Sequence, residues 1–225
     1  LGPGYIRALS KLQDQVPPCS FPDIERVLQE ELSEASFNRF SFVERIPLAA
    51  ASVAQVHRGV LVSGEEVAIK IQRPKAPSQI EKDLVLMKWG VGLLDRLPSL
   101  NMLSLPGAVE RFGEAMQAQL DFTQEAQNNL RFAELFSDTE EIAVPKLVTD
   151  LSTKRVLTME LIRGVRASEP ERVGGDRKKL ARIGFDAILR MVFRDGFVHA
   201  DLHPGNLILT DEGRLVMIDL GLVAE

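Results

Sequence analysis

Between residues 23 and 34 (DIERVLQEELSE), Ile24, Val27, Leu28 and Leu32 recur every three or four positions. That is the period of a helix with one apolar stripe, and Asp23 suits its cap. The period then shortens. Residues 53–61 (VAQVHRGVL) and 66–72 (EVAIKIQ) read as strands turned at Gly64, and Pro74 and Pro77 end the pairing. Helical spacing returns over 79–97 and over 106–136, the longest candidate, with Pro106 placed for a first turn. Short strands at 142–148 and 154–160 follow, then a helix at about 175–194. A hairpin of 207–209 with 215–218 is turned by Asp211-Glu212-Gly213. A strand-rich first half carrying one long helix, then a helical half with a polar loop and hairpin, predicts an α+β fold in two lobes.

Composition narrows the class. The 225 residues are 45% hydrophobic and 26% charged, ordinary for a globular protein with a real core. A net charge of −5 gives no footprint for nucleic acid, which is excluded as a partner. One cysteine, Cys19, allows no internal disulfide and favours a reducing compartment. No apolar run approaches the ~20 residues of a membrane-crossing helix, and no secretory or transit signal opens the chain.

The candidate chemistry lies in the second half. His199-Ala-Asp201-Leu-His-Pro-Gly-Asn206 fits H-x-D-x-x-x-x-N, and Asp219-Leu220-Gly221 fits D-x-G, the spacing of a kinase catalytic loop and the metal-binding aspartate after it. Magnesium takes hard oxygen ligands, and Asn206 and Asp219 supply an amide and a carboxylate from segments joined by one hairpin. Asp201 stands where it can orient or deprotonate an attacking hydroxyl or water. His199 is expected to support the backbone, and His203 to be structural or to support its neighbours. In the first half Val67-Ala-Ile-Lys70 matches the strand whose lysine grips nucleotide phosphates. A lysine in an apolar strand needs a partner, expected on the long helix; Asp121 and Glu125 lie four apart and so share a face, and Glu125 is the choice. Where kinases carry a glycine-rich loop, this chain has Ala49, Ala50, Ala51 and Ser52, whose β-carbons narrow the backbone's freedom.

These segments together resemble the UbiB-type atypical kinases, also called aarF-domain-containing or activity-of-bc-one-complex kinases. The resemblance is carried by "PLAAASVAQVH", "VAIKIQRP", "QLDFTQEAQN", "RVLTMELIRGV" and "VHADLHPGN…IDLG", over about residues 40–225. It implies an atypical, protein-kinase-like two-lobed fold, with residues 1–40 a family-specific extension, 41–160 an N-lobe with an inserted helix, and 161–225 the start of a C-lobe. It implies ATP and Mg2+ as cofactors. Lys70 and its partner Glu125, with Asp201, would be catalytic, and Asn206 and Asp219 would hold the metal. Ala49 to Ser52 would lie over the phosphates, and Glu160 and Leu161, in Met159-Glu160-Leu161, would meet the adenine. It further implies ATP hydrolysis in support of isoprenoid-quinone and prenyl-lipid metabolism. The partners would be prenyl lipids or quinone-pathway enzymes, inside the cell at a plastid, mitochondrial or bacterial membrane surface.

Three departures qualify the resemblance. Gln119-Leu120-Asp121 stands where the family has E-x-D; the K-x-G-Q motif is absent, as though residues were missing between Pro3 and Gly4; and the chain stops at Glu225, just after D-x-G, which suggests a truncated C-lobe. A nucleotide-gated pseudokinase scaffold, or a protein kinase, remains an alternative. A small-molecule phosphotransferase of the aminoglycoside or choline kinase sort is disfavoured by the alanine segment. The apolar residues of 79–97 (Leu84, Leu86, Met87, Trp89, Val91, Leu93, Leu94) are expected to pack rather than to meet membrane.

Overall fold

The structure, a computed structural model, describes residues 16–94, 105–173 and 175–225; the Pro3–Gly4 junction lies outside them. A first helix, α1 (Phe21–Glu31), turns Ile24, Val27 and Leu28 into the core and stops short of the expected residue 34 at the extended Leu32. A second short helix, α2 (Glu34–Phe37), follows, capped by the Ser33 side chain. Strands β1 (Phe40–Val43), β2 (Ala49–Ala50), β3 (Ala54–Leu61) and β4 (Glu66–Gln72) then form an antiparallel sheet, completed by β6 (Val156–Glu160) in the order β1-β3-β4-β6, with β2 also on β3. Alternation along β4 sends Val67, Ile69 and Ile71 into the cluster that receives Ile24, Val27 and Leu28. Helix α1, before residue 40, therefore belongs to this lobe's core.

Helix α3 (Ala76–Leu94) packs through Leu84 on Gly113 of α4 (Leu105–Ala118), where a β-carbon would lie only 3.2 Å from Leu84 Cδ2. The expectation that the apolar residues named on α3 pack fails for Leu86, Met87, Trp89 and Leu93, which are exposed, as is Val85. From Leu84 onward the helix is apolar except at Lys88, so contact along one line leaves the other faces open. Among the described residues no helix is long and apolar enough to cross a membrane.

The single helix expected over 106–136 is two helices. The chain breaks at Gln119–Asp121 and restarts as α5 (Phe122–Leu135), so Asp121 is not one turn below Glu125 on a continuous face. Side chains and backbone elsewhere satisfy the groups that the break frees. Gln72 Nε2 donates to the Leu120 carbonyl at 2.7 Å, the Phe122 N–H to the Lys154 carbonyl at 2.9 Å, and Asp121 caps Thr123 N at 3.0 Å.

A second sheet runs β5 (Ile142–Ala143), β10 (Leu215–Met217), β9 (Leu207–Leu209), β7 (Val165–Arg166), with β5 parallel to β10. Ile142–Ala143 thus lies in the second sheet although it precedes residue 160. The strand expected over 142–148 is cut short at Pro145, which has no N–H to give a ladder, and only an isolated Leu147–Met159 bridge follows. Helix α6 (Arg177–Arg190) continues as a π-helical turn, Met191–Asp195, and ends at Gly196, whose φ of +61° is left-handed. Beyond it β8 (Val198–His199) pairs with β11 (Val223–Ala224).

Candidate nucleotide site

Lys70 lies on the face of β4 that carries Ala68 and Gln72, turned toward α5. The ion pair expected from the sequence is present: Lys70 Nζ sits 2.8 Å from both carboxylate oxygens of Glu125. A second carboxylate reaches the same ammonium, since Asp219 Oδ1 lies 3.2 Å from Nζ. Three segments far apart in sequence converge on one nitrogen. The Phe122 ring lies 5.5 Å from it, shielding one side of the group.

The 207–217 hairpin sets the distance between the two expected metal ligands. Leu207 faces Met217 in register, and the Ile218 N–H donates to the Asn206 carbonyl at 3.0 Å, which brings Asn206 beside Asp219. Asn206 Nδ2 donates to the Asp201 carbonyl at 3.1 Å and lies 3.5 Å from Asp201 Oδ2, which leaves its amide oxygen as the free end. Asp219 Oδ1 also accepts from Gly221 N at 3.3 Å, so its Oδ2 takes no part in either bond. Asn128, one turn beyond Glu125, donates to the Leu220 carbonyl at 2.8 Å and fixes the D-x-G backbone against α5. A β-carbon at Gly205 would meet His203 Cε1 at 2.6 Å, so a larger residue there would push the His203 ring off the Gly205 N–H.

Both loop histidines hold the backbone. Asp201 N donates to His199 Nδ1 at 3.1 Å and Gly205 N to His203 Nδ1 at 3.0 Å. His199 is buried, its Nε2 has no hydrogen-bond partner among the described residues, and burial lowers its pKa against the pull of Asp219 and Asp201.

Burial depresses the Lys70 ammonium, but Glu125 and Asp219 outweigh it and hold the lysine above its ordinary value. Burial likewise raises Glu125, opposed by Lys70, whereas Lys70 pulls Asp219 below the usual carboxylate range. Above these groups lies a cavity of about 150 Å³, lined by Ala51, Ser52, Val53 and Ala54 on one side, Ala118, Gln119, Asp121 and Glu125 on another, and Asp201, Asp219, Gly221 and Leu222 below. Its size suits the phosphate end of a nucleotide rather than the whole of one. Ala49 and Ala50 pair with Val56 and Gln55 and do not line it. Nor do Glu160 and Leu161. The Glu160 carboxylate accepts from Lys146 N at 3.3 Å, and Leu161 N donates to the Glu66 carbonyl at 3.3 Å.

The donor set fits a divalent cation bound with a phosphate. Asp121, Glu125, Asp201 and Asp219 line the cavity and one ammonium pairs with two of them, so the walls are acidic and would repel a phosphate unless a cation lay between. Among the described residues no cluster of three or more His, Cys, Asp or Glu could hold a metal by itself. Magnesium does not need one, since it keeps waters and binds through one or two carboxylates plus substrate oxygens.

A family model described as ABC1 atypical kinase-like domain matches residues 11–225. The chain belongs to that family. ABC1 relatives include Protein ACTIVITY OF BC1 COMPLEX KINASE 3, chloroplastic, of Arabidopsis thaliana, 35% identical over 99% of this chain and 32% of that protein. Another is ACTIVITY OF BC1 COMPLEX KINASE 1, chloroplastic, of the same plant, 37% identical over 98% of this chain and 33% of that protein. The chain thus spans about a third of the length of these curated relatives. Rv3197 of Mycobacterium tuberculosis, solved in complex with erythromycin, is 34% identical, with a TM-score of 0.77 over 99% of this chain and 56% of its own. Rio2 kinase of Chaetomium thermophilum, 13% identical with a TM-score of 0.52 over 99% of this chain and 62% of its own, shares the fold. The α+β kinase-like fold read from the sequence is therefore the fold of this ABC1 domain.

Gln72 and Asn128 support the site but were not singled out as candidates, although both lie in quoted segments, VAIKIQRP and QLDFTQEAQN. Gln72 also alternates in phase with Lys70, so a polar residue two positions on must share the face.

Proposed function

We propose that this ABC1 domain binds magnesium and ATP in the cavity at Lys70 and hydrolyses the nucleotide. By family resemblance, that activity supports prenyl-lipid and isoprenoid-quinone metabolism at a membrane surface. The observation that carries the reading is the meeting of Lys70, Glu125 and Asp219, with Asp201 on the cavity wall and Asn206 hydrogen-bonded behind it to the Asp201 carbonyl. Asp219 Oδ2 and the Asn206 amide oxygen would hold magnesium, which when bound neutralises phosphate charge. Glu125 holds the Lys70 ammonium beside the cavity that Glu125 and Asp219 line, where it would pair with phosphate oxygens. Asp201, on the half-open side, orients the attacking water and takes its proton. The alanine turn on one side and Leu222 below limit access of bulk water.

Turnover of ATP by the Asp201→Asn variant tests the catalytic part. Loss of a positioned base lowers kcat by about 10²- to 10⁴-fold with little change in nucleotide affinity. Hydrolysis at the parent rate would instead favour the pseudokinase reading, in which the same residues bind nucleotide and gate a scaffold.

A further inference from the structure

Arg73 follows β4 immediately and joins segments that the sequence keeps far apart. Its Nη1 donates to the Ala51 carbonyl at 3.0 Å, its Nη2 to the Pro17 carbonyl at 2.9 Å, and its Nε to Cys19 Sγ at 3.1 Å. The Arg73 backbone N–H donates to the Val53 carbonyl at 2.8 Å. Ala51 and Val53 flank Ser52 at the turn between β2 and β3, and all three line the cavity. One residue therefore grips both sides of that turn, which is also closed on itself by Ala51 N–H to the Ala54 carbonyl at 2.8 Å. The Pro17–Cys19 segment is anchored a second time: the Cys19 N–H donates to Oε1 of the fully buried Gln55 on β3.

We propose that Arg73 is a positioning residue of the nucleotide site, fixing the alanine turn over the phosphates, and that the Pro17–Cys19 segment sets nucleotide affinity through it. The inference rests on the reading of the cavity as a nucleotide site. A planar guanidinium meets three acceptors at fixed angles, which a lysine with one nitrogen cannot do. A glycine-rich loop can close on a ligand by itself. An alanine turn has less backbone freedom, so its height depends on what holds its carbonyls. Displacing residues 17–19 removes two of the acceptors that keep the guanidinium aimed at Ala51. A turn that touches the nucleotide equally in ground and transition states changes KM and leaves kcat alone.

Hydrogen exchange of the unliganded protein, read beside steady-state ATP kinetics, tests this on the full chain. Arg73→Ala speeds exchange at the Ala51–Ala54 amides and raises KM for magnesium ATP about tenfold, the equivalent of one to two lost hydrogen bonds, with kcat within about twofold. Arg73→Lys keeps the charge and the fold yet resembles Arg73→Ala in both readouts. Gln55→Met, which frees Cys19 N–H, shifts both in the same direction by less, and combined with Arg73→Ala adds nothing. Unchanged exchange at the turn, unchanged KM in a protein that turns ATP over, full rescue by lysine, or strict additivity of the double variant would each overturn the proposal. If the parent binds no nucleotide while exchange at the turn still responds to Arg73→Ala, the nucleotide reading itself falls, and this one with it.

Discussion

Lys70 is shared by two carboxylates, and that imbalance is informative. One ammonium with a side chain 15% exposed satisfies Glu125, 6% exposed, while Asp219 is half open to the cavity. Removing the lysine leaves a buried carboxylate without its partner, so Lys70→Met should lower folding stability by about 3–5 kcal/mol by urea denaturation at neutral pH. Asp219→Asn should behave differently. It relieves a carboxylate that competes for the same cation, so stability should stay within about 0.5 kcal/mol of the parent while metal-dependent binding suffers. The residue types of this cluster were legible in the sequence because H-x-D-x-x-x-x-N, D-x-G and V-A-I-K are short, contiguous and chemically unusual for apolar surroundings. The choice of Glu125 over Asp121 was legible too, though the argument from a shared helical face was not sound: Asp121 is a cap, and the pairing follows from where α5 starts. That Lys70 also meets Asp219 was not legible, since no local pattern states a contact across 149 residues.

Among the elements, the broken helix and the anchoring of α1 depend on buried polar side chains. Asp121→Ala removes the cap of α5 and should destabilise the protein by about 1 kcal/mol in the same assay. The break escaped the periodicity because QLDF contains neither proline nor glycine. Its cause lies elsewhere, in Gln72 and in the Lys154 carbonyl. On the other face of the sheet a relay of hydrogen bonds ties the chain before α1 to β3. His57 Nδ1 donates to the Glu44 carbonyl at 2.8 Å, Gln55 Nε2 lies 3.2 Å from the bare His57 Nε2, and Gln55 Oε1 accepts from Cys19 N. The relay requires a neutral imidazole, and burial lowers the pKa of His57 accordingly, against the opposing influence of Glu44. A group with a depressed folded pKa contributes stability that is full above its unfolded value and is lost as pH falls through the folded one. Parent stability should therefore drop, relative to His57→Gln, as pH is lowered below about 6.5, the unfolded value. The comparison isolates His57 from Glu125, whose raised pKa acts with the opposite sign. Parallel lines for the two proteins in urea denaturation across pH would contradict it.

Helix α5 unites the molecule. Its first residue, Phe122, packs with Ala54, Leu157 and Met159 of the first sheet's lobe, and Phe132, two to three turns on, packs with Phe197, Met191 and Leu220 of the second. Glu125 and Asn128, between these anchors, face Lys70 and the D-x-G backbone, so packing and site geometry are carried by one rod. Phe132 is fully buried, and Phe132→Ala should cost about 3–5 kcal/mol and loosen the Lys70–Asp219 approach as well. The two-lobed architecture was legible from the change of period along the chain and from the resemblance. The lobe boundary was less so, because β5 is only two residues long and pairs with β10 across 73 positions. The exposed apolar faces of α3 and of α6 with the π-helical turn after it, where Phe185 and Phe193 are open, were not legible either, since a helical spacing tells which residues share a face and not what covers it.

The most direct measurement is calorimetric titration of the parent and of Asp219→Asn with a non-hydrolysable ATP analogue, with and without magnesium. The account predicts tight binding to the parent that weakens at least about tenfold when magnesium is removed, and a variant whose affinity is low in both conditions. Equal affinity of parent and variant in magnesium, or no binding to the parent at all, would contradict it.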